Sequence, residues 1–336
     1  MAPAISLGAV GGGGHLSARF RAAVLAAPRR VEVGSVELAE PGPGQVRVAV
    51  EGCGVCGSNL PVWEGRPWFE YPLPPGAPGH EAWGRVEALG PEVEAVTGGD
   101  RVAMLSDRAF CEATVVAARN LVRLPPELNG KPFPGEALGC GFNVAARSGF
   151  RAGQTVCIVG AGFIGAVVAA LAAGAGARVV AVSRRDFALD IARQMGASHT
   201  VSAGDPAAVV REVEELTEGR LCDVVVEAVG AQAPLDVAGQ LTAVRGRLVI
   251  AGFHQDGART VDLQLWNWRG IDVVNAHERS SEVVLQGIRA ATEAVANGTL
   301  DPSPLYTHHY ALDDLGRAID DMVERPDGFL KALIAP

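Results

Sequence analysis

Gln154-Thr-Val-Cys-Ile-Val159 runs without interruption into Gly160-Ala-Gly162-Phe-Ile-Gly165, and a stretch rich in Ala, Val and Leu follows. An apolar, β-branched run, a glycine turn and a helix-forming segment in that order predict a strand, a tight turn and the start of a helix. Gly160 permits the turn, Gly162 lets the backbone approach a pyrophosphate, and Gly165 lets helix and strand pack closely. Phe163 and Ile164 then open the helix, whose unpaired N–H groups face the anion. An isolated glycine motif is a weak signal and could be a mere tight turn. Here a second apolar strand at Arg178 to Val182 supplies the context that a nicotinamide-dinucleotide site requires.

The second strand ends in Ser183-Arg184-Arg185. A carboxylate at this place bonds the ribose 2′-hydroxyl of NAD, whereas an arginine accommodates the 2′-phosphate of NADP. The nearest acid, Asp186, comes late, and two guanidiniums stand ready for a phosphate, so NADP is favoured over NAD. The alternative is that these arginines cap the sheet edge in solvent.

After Phe150 apolar runs alternate with helical stretches: Val156 to Val159, Arg178 to Val182, Val224 to Val226, Leu248 to Ala251 and Val273 to Asn275. That alternation predicts a doubly wound parallel sheet. Ligands bind at the carboxyl ends of such strands, which selects Ala228, Val229, Gly252, Phe253 and Asn275 as cofactor neighbours. His277, with Glu278 and Arg279, is a candidate contact to a hydroxylated or charged substrate, against the alternative of a surface or interface ion network.

From Arg19 to Leu124 the texture is different. Short alternating runs, Val31 to Val33, Gln45 to Val50, Trp83 to Leu89 and Thr114 to Val116, are separated by Gly, Pro and Asp clusters and predict a small β-rich barrel. The stretch from Asp301 to Pro336 holds a helical pattern over Leu312 to Val323 and an apolar strand over Phe329 to Ile334, expected to return to this first domain. Residues 1–17, with glycines at 11 to 14, are expected to be a flexible tail. The expected division is therefore 18–147 with 292–336 as one domain and 148–291 as the other. A length of 336 residues suits two cores.

With 38 acidic against 29 basic residues the net charge is −9, a field that repels phosphate backbones and anionic lipid. Neither nucleic acid nor membrane is an expected partner. The apolar run Val167 to Ala175 stops well short of the ~20 residues of a bilayer span. With no charged-then-apolar leader, a cytoplasmic location is expected. Six cysteines are too few for a disulfide scaffold in a chain of this size, so metal and core roles come first, with Cys157 and Cys222 in the core.

Between Cys53 and Asn59 the chain reads Cys-Gly-Val-Cys56-Gly-Ser58-Asn59, and at 79 to 81 it reads Gly-His80-Glu81. Thiolate, imidazole and carboxylate form a mixed donor set suited to a catalytic zinc, which keeps one position open. Taken singly, a Cys-x-x-Cys can be redox-active and a histidine can be a core residue. Trp63, with Trp68 and Phe69, follows the metal loop and is a candidate wall of the substrate pocket or a packed aromatic cluster.

Together these segments resemble the medium-chain dehydrogenase/reductase superfamily, in particular its zinc-dependent alcohol and polyol dehydrogenases. The resemblance extends from Ala18 to Pro336 and includes Glu40 to Val50, Pro78-Gly-His-Glu81, Gly99-Asp-Arg-Val102 and Phe329-Leu-Lys331-Ala-Leu-Ile334. It implies an α/β chain in which a GroES-like, β-rich catalytic domain is joined to a Rossmann domain with a doubly wound parallel sheet. It implies Cys56 and His80 as zinc ligands, Ser58 as the hydroxyl that relays the substrate proton, Glu81 as a near or direct ligand, and Lys331 near the pyrophosphate. A third protein ligand is implied at Glu136, seventeen residues before Gly153 (153 − 17 = 136), with Cys140 one helical turn later held in reserve.

Three departures bear on the expectation. Where relatives with a structural zinc carry four closely spaced cysteines, only Cys111 appears, so one zinc is expected. Asn59 replaces the acid that orients the ligand histidine. Pro61 stands where a histidine often completes the proton relay. The resemblance implies reversible, zinc-dependent hydride transfer between a nicotinamide cofactor and a secondary alcohol or ketone, with a polar polyol-, sugar- or cyclitol-like substrate, in a homodimer or homotetramer. The rival readings are a zinc-free carbonyl or enoyl reductase of the same superfamily and a cofactor-binding protein without turnover.

Overall fold

The computed structural model describes residues 18–336, and the expected tail over 1–17 lies outside them. Strands β1 (Ala18–Ala27) and β2 (Arg30–Leu38) pair antiparallel as a sheet of their own. There follow β3 (Gln45–Gly54), the short helix α1 (Leu60–Trp63), β4 (Glu81–Leu89), β5 (Arg101–Met104), β6 (Ala113–Ala117) and β7 (Leu121–Arg123). Helix α2 (Gly135–Ser148) precedes the alternating region: β8 (Thr155–Val159), α3 (Phe163–Gly174), β9 (Arg178–Ser183), α4 (Asp186–Gln194), β10 (His199–Ser202), α5 (Pro206–Leu216), β11 (Cys222–Glu227), α6 (Gln232–Leu241), β12 (Thr242–Ile250), α7 (Leu263–Arg269) and β13 (Asp272–Asn275). The chain ends with α8 (Ser281–Ala296), β14 (His308–Ala311), α9 (Leu315–Glu324) and β15 (Ala332–Ala335).

A sheet of seven strands has the order β14-β15-β3-β4-β5-β7, with β6 also paired to β3. Its central strand shows why the local sequence folds this way. Val46, Val48 and Val50 are buried while the residues between them are half-buried, the period-two pattern of a strand with one face on a core. That core holds Leu25, Val48, Trp63, Met104, Phe110, Phe329 and Ile334. Strand β15 reaches the sheet by pairing Leu333 with Gly54, which carries the end of the chain to the end of β3.

The second sheet has six strands in the order β10-β9-β8-β11-β12-β13, all parallel. Reversal of strand order beside β8 is the doubly wound arrangement. Val156, Cys157 and Ile158 are fully buried, as expected of a strand covered on both faces. Strand β13 differs from the other apolar runs. It forms the sheet edge, and Val273 is 43% exposed. Sequence patterning also passes over β10, whose His-Thr-Val-Ser contains one fully buried residue, Val201.

The described residues divide into two units, 18–137, 288–296 and 306–336 in one, and 138–287 and 297–305 in the other. The first contains the two-stranded antiparallel sheet and the seven-stranded sheet, antiparallel except for the parallel β14–β15 pair, and the second contains the parallel sheet. No helix among the described residues is long and apolar enough to cross a membrane.

Candidate metal and dinucleotide sites

Three strand ends of the first unit converge where the motif residues lie. Gly54 at the end of β3 pairs with Glu81 at the start of β4, and Val55 donates its N–H to the Ala332 carbonyl of β15 at 2.9 Å. This register places Cys56, His80, Glu81 and Lys331 together although 250 residues separate Glu81 from Lys331. One ligand atom from each of Cys56, His80 and Glu81 lies within 4.8 Å of the others. Among the described residues this is the one group of three such ligands.

The surroundings orient each donor. His80 Nδ1 donates to the Pro78 carbonyl at 2.8 Å, which directs Nε2 toward the trio. Asn59, buried, accepts the Cys56 N–H on Oδ1 at 3.1 Å and donates from Nδ2 to the same Pro78 carbonyl at 3.3 Å. It thus ties the cysteine loop to the histidine loop without adding charge. Ser58 Oγ lies 3.4 Å from His80 Nε2. Gly54 must lack a side chain, because a Cβ there would sit 2.0 Å from Glu81 Oε2.

The electrostatics favour a cation. Burial opposes charge on His80, but its hydrogen bond to Cys56 and the charges of Cys56, Glu136 and Glu81 push its pKa up to about 10. Burial likewise opposes charge on Lys331, yet Glu81, Cys56 and Glu136 hold its pKa above the ordinary value. A thiol, an imidazole and a carboxylate converging in so anionic a place are the donors a zinc ion takes, and the residues present fit that ion.

Lys331 has a partner within the first unit that sequence reading does not supply. Its ammonium, 5% exposed, donates to Glu81 Oε1 at 2.6 Å within the first unit. Glu81 Oε2 is in ion-pair range of the same ammonium but accepts no hydrogen bond of good geometry. Glu81 therefore faces two ways, toward Lys331 and toward the Cys56–His80 pair. Trp63 is corrected. It is 1% exposed in the core, with its indole N–H donating to Asp320 at 2.9 Å, and it offers substrate no surface.

Glu136 occupies the first turn of α2, half-buried, and stands outside the trio, though near enough for its charge to act on His80 and Lys331. Cys140 is half-buried one turn later on the same helix. Cys53 is buried, and burial together with the Glu81 charge pushes its thiol well up, so it packs behind the loop as an inert thiol. Burial pushes the Cys111 thiol up to about 12, and it hydrogen-bonds the Arg108 and Ala113 carbonyls at 3.2 and 3.1 Å.

In the second unit Gly160 has φ +105°, which favours glycine, and a Cβ on Gly165 would lie 2.0 Å from the Gly160 carbonyl oxygen. A Cβ on Gly162 would meet nothing within 4 Å. The first and third glycines are thus demanded by the chain itself, while the second leaves open space. Gly162 caps α3, with Phe163 and Ile164 in its first turn, and no side chain takes the cap bond. Open space at a helix N-terminus with no capping side chain fits a pyrophosphate. Ser183 ends β9; Arg184 is exposed and makes no ion pair among the described residues, while the Arg185 N–H donates to Ser183 Oγ at 3.5 Å.

Ala228 and Val229 follow β11, Gly252 and Phe253 follow β12, and Asn275 ends β13, all at carboxyl ends of the parallel sheet. Phe253 is 50% exposed and stacks on His277, ring centroids 5.8 Å apart. The Asn275 side chain accepts the His277 N–H at 3.0 Å, which fixes the turn that carries the imidazole. Three residues here escape sequence reading: Glu227, His254 and Arg259, joined by hydrogen bonds. A carboxylate closing the apolar run Val224 to Val226 was the available signal.

Comparison with known proteins agrees with this layout. Residues 42–142 match the alcohol dehydrogenase GroES-like domain, and residues 164–294 match the zinc-binding dehydrogenase family. L-threonine 3-dehydrogenase of Pyrococcus horikoshii is 28% identical over 83% of this chain and 88% of its own length. Sorbitol dehydrogenase of Bacillus subtilis is 26% identical over 94% and 97%. A crystal structure of a Sinorhizobium meliloti 1021 protein bound to NADP superposes with a TM-score of 0.80 at 26% identity, covering 95% of this chain and all of that one.

Proposed function

This chain belongs to the medium-chain dehydrogenase/reductase superfamily, and on that premise we propose that it is an NADP-preferring zinc enzyme that interconverts a polar secondary alcohol and its ketone. The observation that carries the reading is the convergence of Cys56, His80 and Glu81 within 4.8 Å. These three would hold one zinc ion, with Glu136 as a further ligand. When bound, zinc supplies Lewis-acid polarisation of the substrate oxygen, and the nicotinamide supplies or takes the hydride.

The chain's own residues do the rest. Ser58, partly exposed beside His80, takes the proton from the substrate hydroxyl. Pro61, buried in α1, has no proton to pass on, so Ser58 releases the proton to solvent. Asn59 and the Pro78 carbonyl hold Cys56 and His80 in place while charge develops. Glu81 keeps its carboxylate against the Lys331 ammonium, which tempers the negative charge of the ligand set.

Arg184 and Arg185 support the preference for the phosphorylated cofactor. The test is a panel of polyols, sugar alcohols and ethanol assayed with NADP and NAD. Polyol oxidation with NADP should exceed ethanol oxidation, and replacing both arginines with alanine should raise the NADP KM about tenfold while leaving that for NAD in place. Absence of hydride transfer to either cofactor across the panel would reject the reading.

A homo-oligomer formed through the β13 edge is part of the proposal. Strand β13 is an unpaired sheet edge, and Val244 on the neighbouring strand β12 and Leu263 and Trp268 on α7, which leads into β13, are 72%, 67% and 87% exposed. Light scattering should give at least twice the 34.8 kDa chain mass, and a monomer would overturn this part.

A further inference from the structure

Glu227 closes β11 directly after three valines, and its side chain is wholly buried. A buried carboxylate requires donors, and here each donor comes from one of two turns. Oε1 accepts the N–H groups of Val229 and Gly230, both at 2.8 Å. Oε2 accepts His254 Nε2 at 3.0 Å. The Glu227 backbone carbonyl accepts the N–H groups of Ala251 and Gly252, also at 2.8 Å. One residue thereby ties the turn after β11 to the turn after β12.

Arg259 closes the circuit. Its Nε donates to His254 Nδ1 at 2.9 Å, its Nη2 donates to the Gly230 carbonyl at 3.0 Å, and the guanidinium also pairs with Asp256. Since Nδ1 accepts from Arg259, the imidazole proton resides on Nε2 and points at Glu227. The two turns are packed without slack. A Cβ on Gly252 would lie 2.2 Å from the Gly230 nitrogen, one on Gly230 would lie 2.6 Å from the Phe253 carbonyl, and one on Gly160 would lie 2.5 Å from Val229 Cγ2. The ring of hydrogen bonds is thus in register with the glycine turn itself.

What this ring presents outward is apolar. Val229 and Phe253 are 42% and 50% exposed, and Phe253 stacks on His277. Apolar side chains held open at the carboxyl ends of parallel strands, next to a dinucleotide turn, suit the face of a flat aromatic ring. We infer that Glu227, His254 and Arg259 are positioning residues, a clasp that holds Val229 and Phe253 against the nicotinamide end of the cofactor and sets the affinity for that half of the dinucleotide. The inference rests on the dinucleotide reading proposed above.

The test compares a whole ligand with its half. The full chain is titrated calorimetrically with NADPH or NADH, whichever the wild type binds more tightly, and with the matching adenosine half, 2′-phospho-ADP-ribose or ADP-ribose. His254→Ala and Arg259→Ala should each weaken the whole dinucleotide about tenfold and shift the adenosine half by less than about twofold. His254→Gln keeps a donor for Glu227 and an acceptor for Arg259, and should restore the wild-type affinity. Should His254→Ala fail to fold, Phe253→Ala on the exposed face carries the same contrast. Equal weakening of both ligands, no weakening of either, or a His254→Gln variant as impaired as the alanine would overturn the clasp. A wild type that binds neither ligand would instead reject the dinucleotide reading, and the clasp with it.

Discussion

Replacing Cys56 with serine is expected to remove most of the bound zinc and to lower kcat/KM on the order of a thousandfold, with the fold intact. Cys56 is the only sulfur in the converging trio, and a neutral hydroxyl neither matches thiolate basicity nor carries its charge. The effect stays local because the ligand loops are held by other bonds. Asn59 grips the Cys56 backbone N–H, and β3 and β4 pair through their backbones. Metal content by mass spectrometry, read with the far-UV spectrum and kcat/KM, checks this. A folded variant with full zinc and full turnover would remove Cys56 from the site.

Lys331→Met is expected to cost about 3 to 5 kcal/mol of stability, because it leaves the Glu81 carboxylate buried without its cation. Both partners lie almost entirely out of solvent, so little water can take the place of the ammonium. The double variant Lys331→Met with Glu81→Gln should recover much of the loss, since both charges then leave together. Urea unfolding of wild type, single and double variants in the presence of a chelator makes the comparison. A single variant within about 1 kcal/mol of wild type would show that the pair contributes little, as exposed pairs do.

The same ion pair marks where sequence reading stops. Cys56, His80 and Glu81 stand in short, distinctive words, and Gly160 to Gly165 follow an apolar run, so both halves of the site are legible from local text. Lys331 is not, because its partner depends on β15 pairing with the end of β3, which brings together Lys331 and Glu81 across 250 residues in a way that no local pattern encodes. Trp63 fails for the opposite reason. Position after the metal loop suggests a pocket wall, but Asp320 on α9 captures its indole N–H and closes the core over it.

The parallel sheet was legible where strands are buried on both faces, as in β8, β9 and β11, since continuous apolar runs mark such strands. Strands β5, β7, β10 and β14, each three or four residues long, give too little text for a period to show. The Glu227 clasp was hidden because hydrogen bonds between two turns leave no periodicity. Only a carboxylate at the end of an apolar run, followed three residues later by Gly230, hints at it.

Zinc K-edge X-ray absorption on the purified protein tests the central claim most directly. A centre built on Cys56, His80, Glu81 and Glu136 predicts one sulfur at about 2.3 Å, with nitrogen and oxygen at about 2.0 to 2.2 Å completing the shell. Two sulfurs, which would bring in a second cysteine such as Cys140, or a protein that takes up no zinc, would contradict it.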